Sequence, residues 1–257
     1  MRVINTYRGI TCIMSETKVI RYIDKKYDNP IAIVGFPSVG LVGSILTSFV
    51  IRELGMEVVA GMTSPGLPPY SMIQGGIPYP PVRICGCTRE NGDDHCGDLI
   101  MVTSEITPKP EQSYEFATAL MGVFKELGIK KIIALEGIPE YSEEDPILAC
   151  GSSDSARSMI DSLGLKKFED GLVRGMTGVM LYEGCCSDMD VIVMLCPANP
   201  AFPDPRSAAN ALAPLSKLIP ELNMDLKPLF KEAEEIESKI REQEEYNKTQ
   251  DIQQLYG

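Results

Sequence analysis

The stretch Pro30-Ile31-Ala32-Ile33-Val34-Gly35-Phe36-Pro37-Ser38-Val39-Gly40-Leu41-Val42-Gly43-Ser44-Ile45-Leu46-Thr47-Ser48-Phe49-Val50-Ile51-Arg52-Glu53-Leu54 decides the fold of this 257-residue chain. Ile31 to Val34 is a short, β-branched-rich run with no polar face, which predicts a strand covered from both sides. Gly35-Phe36-Pro37-Ser38 breaks it. Val39 to Leu54 then stays apolar almost all round until Arg52 and Glu53, so the expected helix must be packed on several sides. Gly40 and Gly43, three apart, let its backbone lie close to a neighbour, and Gly55 stands where a helix C-cap glycine belongs.

The same glycines invite a nucleotide reading, and their spacing argues against it. Gly35 and Gly40 fit the first half of a phosphate loop, but Leu41 and Val42 occupy the places where a lysine and a hydroxyl would reach phosphate and magnesium. Gly40-Leu41-Val42-Gly43 is not a dinucleotide fingerprint either. Close packing is therefore the expectation, with an anion at the helix start as the alternative. A nucleophilic Ser38 in a strand-turn-helix elbow is disfavoured because Phe36 replaces the first glycine of that motif.

Composition narrows the function classes. A hydrophobic content of 44% suits one large domain or two small ones, and a net charge of −12 repels phosphate backbones, so nucleic acid is not an expected partner. No apolar segment is long enough to span a bilayer and Met1 to Met14 lacks a signal-peptide core, which predicts a cytoplasmic protein without membrane contact. Eight cysteines in a chain this long fit a reduced interior. Cys85, Cys87, His95 and Cys96 offer zinc-type donors, but their C-x-C and H-C spacings match no standard module. Buried thiols are expected, with no metal and no cofactor.

The rest alternates strands and helices. Met1 to Asn29 predicts an edge strand around Val19, Arg21 and Ile23, and Glu57 to Met62 a further strand. Two proline-rich loops, Ser64 to Pro69 and Gly75 to Pro81, flank Tyr70 to Ile73 and argue for a surface arm without a regular ladder. Val82 to Thr88, Asp98 to Thr103, Lys131 to Leu135 and Asp190 to Leu195 read as strands. Glu111 to Leu127, Ser152 to Leu163 and Ser207 to Leu218 read as helices. This pattern predicts an α/β three-layer sandwich with a central, largely parallel sheet over residues 1–222, followed by a C-terminal helix and tail over residues 223–257.

Such sheets place ligands at strand C-termini, where Glu105, Glu136 and Asn199 fall. Two carboxylates there suit acid/base work or ribose binding in an enzyme. Against this, the single histidine lies in an acidic loop and no triad is ordered along the chain, so carboxylates that cap turns are the expectation.

Four motifs in order carry a more specific signal: Gly35-Phe36-Pro37-Ser38-Val39-Gly40-Leu41-Val42-Gly43, Ser64-Pro65-Gly66-Leu67-Pro68-Pro69, Thr103-Ser104-Glu105 and Leu135-Glu136-Gly137-Ile138-Pro139. Together they resemble the archaeal relatives of the proteasome assembly chaperones, over roughly Pro30 to Leu222. The resemblance implies a nucleoside-phosphorylase-like fold, a homo-oligomer, and a role with the 20S proteasome rather than catalysis.

The C-terminal segment differs in character from the body. From Pro228 the chain is densely charged and lacks glycine until Gly257. Leu226, Leu229, Ala233, Ile236 and Ile240 recur at spacings of three and four, the seam of a packed helix. Beyond Ile240 the seam turns polar, yet the sequence closes on Leu255-Tyr256-Gly257. The resemblance implies that this hydrophobic-tyrosine-any tail inserts between α-ring subunits of the 20S proteasome, with Leu255 in an apolar pocket, Tyr256 packed and bonded through its hydroxyl, and the Gly257 carboxylate paired with a lysine. Burying the leucine and tyrosine contributes about 1.5–3 kcal/mol each and the charged hydrogen bond about 1.5–3 kcal/mol, against association costs of about 4–15 kcal/mol. One tail binds weakly. Several on one oligomer gain about 10²–10⁴ in avidity, which predicts a homo-oligomeric ring or cage.

Overall fold

The computed structural model describes residues 5–7, 10–12, 17–64, 67–69, 71–88, 98–140, 142, 145–231 and 234. Thirteen strands are present among them: β1 (Asn5–Tyr7), β2 (Ile10–Cys12), β3 (Lys18–Arg21), β4 (Ile31–Gly35), β5 (Glu57–Thr63), β6 (Met72–Gln74), β7 (Ile77–Tyr79), β8 (Val82–Cys87), β9 (Leu99–Ser104), β10 (Lys131–Pro139), β11 (Leu148–Gly151), β12 (Lys166–Lys167) and β13 (Asp190–Ala198). The helices are α1 (Val42–Glu53), α2 (Pro110–Glu126), α3 (Asp154–Leu163), α4 (Gly175–Cys185) and α5 (Pro205–Leu218).

Nine strands form one sheet in the order β12-β11-β13-β10-β4-β9-β8-β5-β3. Its centre, β13-β10-β4-β9, is parallel, as the alternating pattern predicts, while β11, β8, β5 and β3 add antiparallel pairings outward. The centre can be parallel because apolar layers cover both of its faces. Ile31, Ile33, Leu99, Met101, Ile133 and Leu135 point into the layer that holds α1, α3 and α5. Their neighbours Ala32, Val34, Ile100, Val102, Ile132 and Ala134 point into the layer of α2 and α4. This is the α/β three-layer sandwich expected from the sequence.

The opening stretch behaves as its composition dictates, with one correction. Every residue of β4 is buried. The helix after it begins only at Val42, because Gly40 and Leu41 take φ of 63° and 54° and a single 3-10 turn occupies Val39–Leu41. Periodicity cannot see a left-handed pair at a helix start. Close packing of the glycines is borne out: a Cβ on Gly43 would lie 2.9 Å from Gly35 Cα and 3.1 Å from the Leu135 carbonyl oxygen, and one on Gly40 would lie 2.6 Å from Ala198 Cβ. Gly55, with φ of 57°, donates its N–H to the Arg52 carbonyl and ends the helix as expected.

Other differences have equally local reasons. The arm between the proline-rich loops does form a ladder: β6 and β7 pair antiparallel across Gly75-Gly76, with Pro78 opposite Ile73. A two-stranded ribbon has a free edge on each strand, so proline is tolerated. Leu67, inside the first proline-rich loop, is 9% exposed and belongs to the core. Strands β10 and β13 run past their predicted ends through Pro139 and Pro197. Helix α4 has no counterpart in the sequence reading: Gly175, Gly178 and Gly184 interrupt it and its apolar residues follow no stripe. No helix among the described residues is long and apolar enough to cross a membrane.

Substituting Gly137→Ala should destabilise the fold by about 3 kcal/mol or more, because its Cβ would lie 1.9 Å from the Val39 carbonyl oxygen. Gly122→Ala, where nothing lies within 4 Å of the new carbon, should stabilise α2 by about 0.5–1 kcal/mol. Thermal unfolding of the two variants beside the parent checks both signs.

Candidate functional site

The C-terminal edge of the parallel strands collects the residues that the sequence singled out. Ser38 follows β4, and its Oγ accepts the Gly137 N–H at 2.8 Å, which ties the turn before α1 to β10. The hydroxyl is a structural clasp here. Asn199 follows β13; its N–H donates to the Asp204 carboxylate at 3.0 Å and its side-chain oxygen accepts the Ala201 N–H at 2.9 Å, shaping the turn into α5.

Glu105 and Glu136 do not meet. Side chains alternate across a strand, and Glu136 lies inside β10, next to Leu135 of the α1 layer, so it faces the layer of α2 and α4. There it accepts a hydrogen bond from the Thr177 hydroxyl at 2.8 Å, near the start of α4. Burial raises the Glu136 carboxyl pKa, and the Thr177 bond offsets only part of that rise. Glu105 follows Ser104 directly and binds Arg83, whose neighbours Val82 and Ile84 face the α2 layer while Cys85 faces α1. The sheet therefore stands between the two carboxylates. The pair required for shared acid/base work is not assembled, and Glu136 is interior to its strand rather than at its end.

Sequence reading missed Arg83. It is 7% exposed on β8, holds Glu105 through its two terminal guanidinium nitrogens, one at 2.8 Å, and sits directly opposite Thr103 in the ladder. The Thr103 hydroxyl lies 3.0 Å from that of Thr47 and 3.2 Å from that of Ser48, and Thr47 also donates to the Gly43 carbonyl at 2.8 Å. The available signal was a lone charge at an inward position of the apolar strand Val82-Arg83-Ile84-Cys85. Such a charge needs a buried counterion. Beside this cluster, between α1, β8 and the β6–β7 ribbon, lies a cavity of about 470 Å³.

Cys85 is buried on β8 and burial pushes its thiol up to about 12, the reverse of what a metal-bound thiolate needs. His95 and Cys96 lie outside the described residues, and among the described residues no three metal-ligating side chains gather. At the C-terminal side, a helix starts at Lys227, with Leu229 1% exposed and Leu226 and Phe230 packed on the α1-side core. This is the root of the predicted tail helix. Leu255, Tyr256 and Gly257 themselves lie outside the described residues.

Comparison with known proteins gives a consistent result. The family described as the PAC2 family matches residues 32–244. An uncharacterised protein of Methanocaldococcus jannaschii is 30% identical over 226 residues, covering 87% of this chain and 90% of that protein. Among solved structures, Pyrococcus furiosus PbaA, described as an archaeal homologue of proteasome-assembly chaperone, superposes with a TM-score of 0.77 at 30% identity, over 93% of this chain and 95% of PbaA. Pyrococcus furiosus PbaB, described as an archaeal proteasome activator, superposes with a TM-score of 0.76 at 25% identity, over 90% of this chain and all (100%) of PbaB.

The raised Glu136 pKa sets a pH signature. Between its unfolded and folded values the native state holds the proton that the unfolded state has lost, so this group's contribution to stability falls as pH rises through that window. Glu136→Gln removes the titration and keeps a side chain that bonds Thr177. Relative to the parent, the variant should gain in Tm on going from about pH 4 to about pH 8, read by thermal unfolding across that range. A constant difference would contradict the assignment.

Proposed function

This chain belongs to the PAC2 family, and from that premise we propose that it is a cytoplasmic, non-catalytic adaptor of the 20S proteasome. It works as an assembly chaperone or activator, binding the α-ring as a homo-oligomer through Leu255, Tyr256 and Gly257. The observation that carries the reading is the near full-length likeness to PbaA and PbaB, one described as a proteasome-assembly chaperone homologue and the other as a proteasome activator.

Two features of the chain support it. Leu226, Leu229 and Phe230 pack on the α1-side core, so the last described turn ahead of the tail segment is held against the body. The arithmetic of a leucine-tyrosine plug, weak alone and strong in multiples, matches a role for several copies of the body acting together. The rival reading, a nucleoside-phosphorylase-like or hydrolytic enzyme, needs Glu105 and Glu136 to act as a pair, and their placement on opposite sides of the sheet disfavours it.

Removing Leu255 to Gly257, or substituting Tyr256→Ala, should abolish co-sedimentation with 20S particles while leaving the oligomeric state seen by light scattering intact. Undiminished co-sedimentation of both variants would overturn tail docking. Dissociation of the oligomer by either change would instead place the tail in self-association.

A further inference from the structure

The cavity of about 470 Å³ between α1, β8 and the β6–β7 ribbon has the size of a small-molecule site. Its walls divide by chemistry. Ile51, Met56, Met72 and Ile73 supply an apolar side, while Ser48 and Thr103 supply hydroxyls. The charged residues lining it are Arg52 and Arg83, in a chain whose net charge is −12. Cys85 adds no negative charge there, since burial keeps its thiol protonated.

Arg83 is the polar centre of this site. Its Nη1 donates to Glu105 Oε2 at 2.8 Å and to the Pro81 carbonyl at 3.4 Å, and its Nη2 donates to Glu105 Oε1. Those bonds use the end of the guanidinium. Among the described residues, the Nε–H and the second Nη2–H have no acceptor, and in a guanidinium these two lie side by side along one edge. They form a second fork, the shape that receives two oxygens of one anionic head. An incoming oxyanion would give those two N–H groups charge-assisted acceptors.

Charge selects among oxyanions. Glu105 already neutralises one unit of the arginine charge, and Arg52 at the mouth is 3.3 Å from Glu53, so the lining favours a single negative charge over a phosphate dianion. The apolar wall requires more than a head. We propose that this cavity binds a small monocarboxylate with an apolar body, the carboxylate on the open edge of Arg83 and the body against Ile51, Met56, Met72 and Ile73. This does not depend on proteasome docking.

Isothermal titration of the full-length protein with hexanoate and with phenylacetate tests it, beside 1-hexanol, 2-phenylethanol, acetate and inorganic phosphate. Saturable binding of the two carboxylates is expected, at least about tenfold tighter than the matching alcohols, because a hydrogen bond to a charged head contributes about 1.5–3 kcal/mol. Arg83→Lys should weaken hexanoate by about tenfold or more by removing the fork. Should that variant fail to fold, Ser48→Leu, which fills the cavity from the exposed side of α1, should abolish binding. The methyl signals of Met56 and Met72 should move on titration, while those of Met121 and Met180, in the opposite layer, stay. No saturable binding of either carboxylate up to about 10 mM, equal binding of the alcohols, tighter binding of phosphate, or movement of the Met121 and Met180 signals instead would each overturn the proposal.

Discussion

Backbone laid directly on backbone is the constraint around which this fold is arranged. Gly43 in the first turn of α1 lies against Gly35 at the end of β4 and against the Leu135 carbonyl of β10; a Cβ on Gly35 would lie 2.1 Å from the Gly43 carbonyl oxygen, and one on Gly137 of β10 would lie 1.9 Å from that of Val39. So close an approach lets the turn after β4 fold down onto β10, where the Ser38 hydroxyl takes up the Gly137 N–H. The left-handed Gly40-Leu41 pair then redirects the chain into α1, and the Gly40 carbonyl accepts the Asp204 N–H at the start of α5. These close main-chain approaches together fix the strand, the helix and the loop beyond β13 relative to one another.

The polar groups of the interior are organised from the same helix. Thr47, one turn after Gly43, meets Thr103 at the end of β9, and Arg83 sits opposite Thr103 on β8 with Glu105 as its counterion. A buried charge without that carboxylate would be costly, so the Thr103-Ser104-Glu105 motif supplies what the arginine requires. The Leu135-Glu136-Gly137 motif divides its roles across the sheet: glycine toward α1 for close contact, glutamate toward α4 for the Thr177 hydroxyl. Motifs that resemble an active-site edge are here largely the means of closing the fold.

Much of the architecture was legible in the sequence because it rests on short-range pattern. Apolar runs located β4, β8, β9, β10 and β13; a long apolar stretch closed by Gly55 located α1, helical spacing α2 and capping residues α3, and α5 was also expected. Helix α4 was hidden because its helical state comes from packing against α2 and β13, not from a stripe or a cap. The β6–β7 pairing was hidden by its own proline. At the site, Glu105, Glu136 and Asn199 were placed near the correct edge, yet the face each presents depends on strand register and length, which tertiary pairing sets. Arg83 and its hydroxyl neighbours were missed for the same reason: their meaning lies in partners distant along the chain.

The unequal cover of the sheet grades how firmly its parts are held. Strands β4 and β10 have hydrogen-bonded neighbours on both sides and helices on both faces, whereas β3 is an edge strand and Ile73 and Ile77 of the β6–β7 ribbon are 66% and 54% exposed. On this cover, amide protons of the ribbon and of β3 should exchange with solvent through smaller openings than those of β4 and β10. Met72 and Ile73 thus give the cavity a wall on a lightly held ribbon, whereas Thr103 gives it a floor in the buried sheet.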